Sequence, residues 1–482
     1  MIKSIPLVMI TALANFNAAI AWADLPLPKF LDDPWDKASA TAPDPGTPWQ
    51  PDRPLPQVPE TPLELPENLK AKPLTLADLT DFALRNNPQT RSAWAAARAN
   101  AAAVGVAQAN YLPQLDGQFS IAKNRAASTS GIASPRLTRY GPSISLSYLL
   151  LDFGTRAGQL QTAEYNLLAA NLNQNQVIQD VVLQVEQAYY QLLGLQALES
   201  ANQQSLKNAE ANLDAAKQRR EAGLATIGDV YQAETAVAQA QLLLQQTQGQ
   251  VASAQAQVTN AVGLTVTTAF MLEPWPAIAP IETISQSVEQ LLAQAKTARP
   301  DLIAAQAKVQ AAQGQVQAAA GQGRPSLSFT ASSGQARFRE LPSVAESSIG
   351  LTLRVPLFAG FRTAYSVSQA KAQVEQTEAQ RDQLLSLVQL QVWQAYFNQQ
   401  TAAATIKSAS TLLRSATQAA EVAQARYRGG VGTILEVLST QAAEANAHVQ
   451  NIQAQLNWYV GLAQLGHAVG TLQTNGEYLG RQ

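Results

Sequence analysis

The chain has 482 residues, no cysteine and a formal net charge of −2. Only 14% of its residues are charged, against roughly 25% in typical soluble domains. The absence of a basic run argues against a nucleic-acid partner. The absence of cysteine excludes disulfides, zinc–thiolate sites and a lipid anchor attached through cysteine.

The N-terminal residues are predicted to direct export. Residues 1–23 are interpreted as a signal peptide, because Lys3 precedes a mostly apolar stretch and residues 21–23 form an A-x-A cleavage pattern. An ordinary N-terminal helix is the alternative. Residues 24–73 contain about half of the 25 prolines, which predicts an extended, polyproline-like arm without helix.

Residues 74–285 are predicted to form a first structural repeat. Its elements in chain order are a helix that Pro88 restarts, two amphipathic strands, a long helical hairpin and an equatorial segment. We place the strands, the hairpin and the equatorial segment at about 114–123, 139–151, 156–262 and 264–285.

Residues 286–472 repeat this plan, and residues 473–482 form a C-terminal tail. Pro300 matches Pro88 at an offset of 212, whereas Gly430 matches Gly223 at an offset of 207. An offset that holds across helices and slips at one loop indicates a duplication with a loop deletion. We place the second pair of strands and the second hairpin at about 326–335, 346–357 and 362–469.

The predicted strands alternate between apolar and polar residues. In the second strand Ile144 and Leu146 lie on one face, and Ser143, Ser145 and Ser147 on the other. Period-two alternation predicts β-structure and is typical of the wall of a membrane barrel. One face of a soluble β-sandwich would show the same pattern.

Each long helix is followed by a shorter one that returns along it. The long helices cover about 67 residues, on the order of 100 Å, and the returning helices only about 55 Å. The helix before each strand pair has roughly the missing length, so stacking it end to end on the returning helix would complete a second column. Each repeat therefore contributes two strands and two helical columns.

Four strands cannot close a barrel, and unpaired strand edges cannot face lipid. Closure must therefore come from other copies. Three copies give twelve strands around an aqueous lumen, whereas two give eight strands whose interior side chains would fill the barrel. The polar inner positions, such as Ser143, Ser145 and Ser147, favour the water-filled case. We predict a mixed α and β membrane protein with an internal duplication. Its trimer would form a 12-stranded β-barrel continuous with a long α-helical barrel.

Four aromatic residues are predicted at the strand ends. An aromatic girdle at a membrane interface would occupy this position. The alternative is that they plug a small core at the strand–helix junction. The residues are Tyr148, Phe153, Phe358 and Phe361.

Short motifs follow one another in a fixed order along the chain, several of them in both halves. They are Asn87-Pro88, Arg299-Pro300, Tyr111-Leu112-Pro113, Leu151-Asp152-Phe153-Gly154, Leu357-Phe358-Ala359-Gly360, Gly223-x-x-Thr226-Ile227-x-Asp229-Val230 and Tyr427-x-x-x-x-Gly432-Thr433-Ile434-x-Glu436-Val437-Leu438. In the order and duplication of these motifs, the sequence from about Leu74 to Leu472 resembles the TolC-like outer-membrane efflux protein family.

The resemblance implies a homotrimeric channel of a Gram-negative bacterium. Its 12-stranded outer-membrane β-barrel would contact lipid and continue into a long periplasmic α-helical barrel. The resemblance also implies docking to a periplasmic adaptor (a membrane fusion protein) and an inner-membrane pump, for drug or small-molecule efflux or type I protein secretion. A periplasmic coiled-coil adaptor, which binds a pump and a separate channel, is the alternative. Two hairpins and only four strands favour the channel.

The turns between the helices of each hairpin hold the candidate functional residues. Asp229 and Glu436 follow the two turns at an offset of 207, so a trimer would carry a ring of six carboxylates that attracts cations. The alternative is two exposed acids that stabilise helix N-termini. The turn residues are Gly223, Thr226, Gly429, Gly430, Gly432 and Thr433.

The resemblance also implies roles for Asp229, Glu436 and Tyr427, which lie at or beside these turns. Asp229 and Tyr427 match positions that link neighbouring helices and hold the entrance closed, and Glu436 matches an acidic constriction residue. The chain departs from the family pattern at Gly432 and Ser439, where an arginine and a second acid are expected. The closing network would therefore be thinner.

No catalytic constellation is present in the sequence. His448 and His467 are the only histidines, and no phosphate loop or metal-spaced cluster accompanies them. We therefore expect no enzymatic activity, no cofactor and no metal site.

Overall fold

The structure is a computed structural model, and it describes residues 45, 48, 65–70, 72–124, 137–274, 286–339 and 342–472. The chain divides into two units, Met1–Thr61 and Pro62–Gln482, and the fold described below belongs to the second. The predicted signal peptide, most of the proline-rich arm, residues 275–285 of the equatorial segment and the C-terminal tail lie outside the described residues.

After a short first helix, α1 (Glu67–Lys70), the described residues form the same series of elements twice. Corresponding helices have equal lengths of 11, 22, 67 and 36 residues. The first series is α2 (Leu76–Asn86), α3 (Pro88–Ala109), β1 (Gln114–Asn124), β2 (Leu137–Leu151), α4 (Thr155–Glu221) and α5 (Ile227–Val262). The second is α6 (Val288–Ala298), α7 (Pro300–Gly321), β3 (Ser326–Phe338), β4 (Val344–Arg354), α8 (Arg362–Arg428) and α9 (Ile434–Val469).

The end of the predicted proline-rich arm is not extended. The α1 turn begins directly after Pro66, and the backbone N–H of Leu69 donates to the Pro66 carbonyl at 2.9 Å. Proline is compatible with a helix start, because the first N–H groups of a helix have no intrahelical partner. Leu65 is 2% exposed and belongs to the main hydrophobic core. The prediction of an arm without helix is therefore wrong at this end.

The four strands form one antiparallel sheet in the order β1-β2-β3-β4. Its register aligns the apolar positions of neighbouring strands: Leu115 pairs with Leu146, Leu146 with Ala331, and Ala331 with Ile349. Directly paired residues point to the same face, so the sheet has one apolar face and one polar face. β4 ends at Arg354, earlier than the predicted 357, because Pro356 has no N–H to donate to a ladder.

The helices lie side by side in the same order as the strands. α4 packs against α3, α5, α7 and α9, and α8 packs against α7 and α9. The C-terminus of α5 meets the start of α3, where the Asn87 side chain donates to the Ala261 carbonyl at 2.8 Å. The equivalent joint in the second repeat is made by Arg299, which donates to the Ala468 carbonyl at 3.2 Å. This is the end-to-end stacking predicted from the helix lengths.

The main core lies where α4 passes these joints. Val181, Val185 and Leu192, which repeat at heptad-like spacing, are at most 1% exposed. Tyr190 stacks on Tyr459 with ring centroids 4.6 Å apart, which ties α4 to α9. Within the described ranges, no helix combines the length and apolar character that crossing a membrane requires.

Candidate functional site

Each helical hairpin turns through a glycine in the left-handed region of backbone space. Gly223 has a φ of +75° and Gly430 a φ of +79°, a conformation that costs glycine little and other residues more. In the first turn the Leu224 N–H donates to the Arg219 carbonyl at 2.7 Å, and in the second the Val431 N–H donates to the Arg426 carbonyl at 3.0 Å. Both turns thereby satisfy carbonyls that the ends of α4 and α8 leave free.

The returning helix α5 begins with a complete capping box. The Thr226 hydroxyl accepts from the Asp229 N–H at 3.2 Å. In return, the Asp229 carboxylate accepts from the Thr226 backbone N–H at 2.7 Å and from its hydroxyl at 2.9 Å. Asp229 thus stabilises the start of its own helix, as an acid near the positive end of a helix dipole does.

The equivalent acid of the second tip has a different partner. Thr433 accepts from the Glu436 N–H at 3.2 Å, but the Glu436 carboxylate lies 2.8 Å from Nη1 of Arg426. The two side chains are 35% and 52% exposed. The charge of Glu436 is therefore balanced within its own hairpin.

A second arginine joins the two hairpins. Arg219 lies 4.5 Å from the ring centroid of Tyr427 and donates a hydrogen bond to the Tyr427 backbone carbonyl. Tyr427 is 7% exposed and packs with Ile434 and Val437. Within the described part of the chain its hydroxyl has no hydrogen-bond partner. Farther from the tip, the Asn212 side chain donates to Gln441 at 2.6 Å and again links α4 to α9.

Only part of the predicted gate meets within one chain. Tyr427 and Glu436 belong to the same hairpin tip. Within the described residues, the carboxylate of Asp229 is bonded to Thr226 and not to Tyr427. The sequence reasoning missed Arg219 and Arg426. Both lie in the last turn of a long helix, where a basic side chain interacts favourably with the negative end of the helix dipole, and this pattern is visible in the sequence.

Three of the predicted interface aromatics, the phenylalanines, lie at the strand–helix junctions, and Tyr148 lies inside β2 near its end. Phe153, Phe358 and Phe361 are 52%, 75% and 67% exposed, and Tyr148 is half-buried. Phe153 and Phe361 have positive φ values of 51° and 63°, which strains residues other than glycine. The exposure of the three phenylalanines in the single chain does not favour the alternative of a core plug.

The two histidines form no metal-binding group. His467 lies 2.6 Å from the Asp180 carboxylate and connects α9 to α4. Partial burial raises the pKa of Asp180, but the hydrogen bonds from His467 and Gln176 outweigh it and lower that pKa below its ordinary value. No group of three or more metal-ligating side chains occurs within the residues that the structure describes.

The fold is that of a known channel structure. The chain, with its duplicated helical hairpins and four-stranded antiparallel sheet, superimposes on the solved structure of the outer-membrane channel OprN with a TM-score of 0.74. That similarity covers 86% of this chain and 98% of that chain at 21% sequence identity, a level that establishes the fold alone.

Sequence comparison gives the family. The profile of the family described as Outer membrane efflux protein matches residues 79–264 and 291–471. Protein CyaE of Bordetella pertussis is 30% identical over 384 residues, which cover 79% of this chain and 80% of that protein. The outer membrane efflux protein BepC of Brucella suis is 25% identical and covers 83% and 86%. The chain belongs to the outer membrane efflux protein family, which favours the channel over the periplasmic adaptor.

Proposed function

We propose that three copies of this chain close a 12-stranded β-barrel in the outer membrane of a Gram-negative bacterium. Their helices continue it as a twelve-column barrel in the periplasm. The observation that best supports this proposal is a sheet with two open edges, one apolar face and one polar face. Neither β1 nor β4 has a second strand neighbour within the described residues, and such edges must be paired in lipid.

The apolar face of the sheet supports contact with lipid. Six of its large residues are more than 60% exposed in the single chain: Leu115, Phe119, Ile121, Ile349, Leu351 and Leu353. On the opposite face, three serines pair across β2, β3 and β4, and their hydroxyl groups suit a water-filled lumen. They are Ser145, Ser332 and Ser348. The phenylalanines at the strand ends would then lie at the membrane interface.

The outer helical columns support the contribution of other copies. On α8, the rings of Trp393 and Phe397 are in contact at a tilt of 49°, with centroids 4.9 Å apart, and the two residues are 49% and 41% exposed. At the other edge, Trp94 of α3 and Tyr231 of α5 are 50% and 61% exposed. Large aromatic side chains of this kind are enriched at protein interfaces. We assign them to the contacts between neighbouring copies.

The tips are the proposed contact with a periplasmic adaptor and, through it, an inner-membrane pump. Leu224 and Val431 occupy equivalent places in the two turns and are 71% and 73% exposed. An apolar side chain at each turn, repeated around a trimer, gives six anchors for partner helices. The same tips would carry the gate, with Asp229, Tyr427 and Glu436 near the narrow end of the channel.

The assembly is tested by expressing the full chain and isolating it from the outer-membrane fraction. We expect a heat-modifiable trimer by native mass measurement and discrete conductance steps in planar bilayers. A Trp393→Glu variant should lower the yield of trimer, whereas Lys407→Glu on the same helix should not. Recovery of the wild-type chain as a monomer in the soluble periplasmic fraction would contradict the proposal.

A further inference from the structure

A cavity of about 720 Å³ lies where the sheet meets the helices. Its lining includes Gln114, Ser147, Ser326 and Ser328, which belong to the polar registers of β1, β2 and β3. The cavity therefore opens on the polar face of the sheet, on the side away from its apolar face. Its volume lies within the range of sites that bind small molecules.

The charge of this cavity is strongly positive although the chain has a net charge of −2. Four guanidinium groups line it against a single carboxylate, which leaves three positive charges in excess. The lining arginines are Arg156, Arg324, Arg354 and Arg362, and the carboxylate belongs to Asp152.

Arg156 and Asp152 are already used by the fold. Arg156 lies 3.4 Å from the Asp152 carboxylate and donates to the carbonyls of Asn110 at 3.1 Å and Leu150 at 3.2 Å. Its guanidinium also covers the ring of Tyr111 at 4.6 Å. The two charged side chains are 8% and 13% exposed, so the pair is buried and neutral as a unit.

The other arginines are free to bind a ligand. Arg324 donates one hydrogen bond, to the Phe153 carbonyl at 2.8 Å. Arg354 and Arg362 are exposed and have no hydrogen bond, ion pair or ring contact from their guanidinium groups within the described chain. Since an arginine presents a planar fork of donors that matches carboxylate and phosphate oxygens, such a cluster without counter-ions favours anions.

A comparison of the two repeats shows why Arg362 lacks the acid that pairs with Arg156. Arg362 corresponds to Arg156 at an offset of 206, but the position that corresponds to Asp152 is Phe358. The second repeat has an arginine at the start of its long helix but no acid at the position that would neutralise it. Arg354 adds a further charge on the polar face, where it pairs in register with Ser326.

We propose that this cavity is a binding site for anionic groups, carboxylate or phosphate, of solutes in the channel. Arg354 and Arg362 bind the anion and Arg324 contributes a third donor. The proposal rests on the proposed function in one respect, since the polar face must line the path of the solute. Because the cavity opens on the polar face of the sheet, away from the face assigned to lipid, the anion comes from solution and not from a lipid head group.

The binding arm of the test titrates inorganic phosphate into the full chain, purified as its native assembly in an uncharged detergent. Arg354→Gln/Arg362→Gln should weaken binding by about tenfold, since two charge-assisted contacts are lost. The matched control Lys407→Gln/Arg414→Gln removes two positive charges from exposed positions on α8, about 70 to 80 Å along the helix from Arg362, and should change binding by less than about twofold. Arg362→Lys, which keeps the charge without the fork, should fall between wild type and the double variant.

The transport arm measures reversal potentials across a potassium chloride gradient. The double variant should shift the permeability ratio toward potassium, and the control pair should not. A conducting wild type with no phosphate binding, or binding that is unchanged in the double variant, would overturn the anion site. Loss of the trimer in Arg354→Gln with unchanged binding would assign that arginine to a subunit contact and overturn its role. If the wild type does not conduct, the proposed function fails, while the titration still decides the anion site.

Discussion

Arg156 and Arg362 occupy equivalent positions at the start of α4 and α8, but they have different surroundings. Arg156 is buried among a carboxylate, two carbonyls and an aromatic ring, whereas Arg362 is exposed with no partner within the described chain. The tips show a similar difference. Arg219 reaches the other hairpin, and its equivalent Arg426 binds an acid of its own hairpin. Equivalent arginines therefore have different partners in the two repeats, and of these four only Arg362 has no partner for its guanidinium group within the described chain.

The largest expected effect comes from breaking the buried pair at the first junction. Arg156→Ala leaves Asp152 buried without its counter-ion and leaves two carbonyls without a donor. Removing one partner of a buried pair typically costs about 3 kcal/mol or more. Thermal and denaturant unfolding of the purified assembly, followed by circular dichroism, should report this loss.

Arg362→Ala is the matched control for that substitution. It removes the same atoms at the equivalent position of the second repeat, where the side chain is exposed, so unfolding should change by less than about 0.5 kcal/mol. Equal losses in the two variants would contradict the contrast between the junctions. They would mean that Arg362 gains a structural partner in the assembly.

The elements of this fold are encoded by local sequence patterns, whereas the contact between the two hairpins is not. The alternation around Ile144 and the heptad spacing of Val181 and Val185 are properties of neighbouring residues, and both correspond to observed elements. The contact of Arg219 with Tyr427 joins residues 208 apart and depends on how two hairpins pack. No local pattern encodes such a distance, so the candidate site could be located at the tips but its partners could not be assigned.

An intermediate effect is expected at the contact between the hairpins. Arg219→Gln removes a cation–π contact and a hydrogen bond to the Tyr427 carbonyl, which together contribute about 1 to 2 kcal/mol in partly buried surroundings. The tips of α4 and α8 should exchange amide hydrogens faster, and conductance should rise if this contact holds the entrance closed. Hydrogen exchange resolved by mass spectrometry and single-channel recording measure the two outcomes.

Tyr427→Phe tests the hydroxyl of Tyr427 separately from its ring. It keeps the ring under Arg219 and the backbone carbonyl and removes a hydroxyl that has no partner in the described chain, so the exchange rates of the tips should stay as in the wild type. A rise in conductance would place the partner of that hydroxyl on a neighbouring copy. Unchanged conductance in both variants would remove Tyr427 from the gate.

The smallest effect separates the two tip acids. Asp229→Ala breaks a capping box, which typically costs about 1 kcal/mol, and should speed exchange in the first turn of α5. Glu436→Ala removes only a surface pair with Arg426 and should change the free energy of exchange in α9 by less than about 0.5 kcal/mol.

Ion selectivity should depend more on Glu436 than on Asp229. The carboxylate of Asp229 is bonded to Thr226 at the start of its own helix, whereas the charge of Glu436 is balanced by Arg426. Arg426→Gln releases that charge and should raise cation preference. If Asp229→Asn alters selectivity more than Glu436→Gln does, the acidic constriction belongs to the first tip instead.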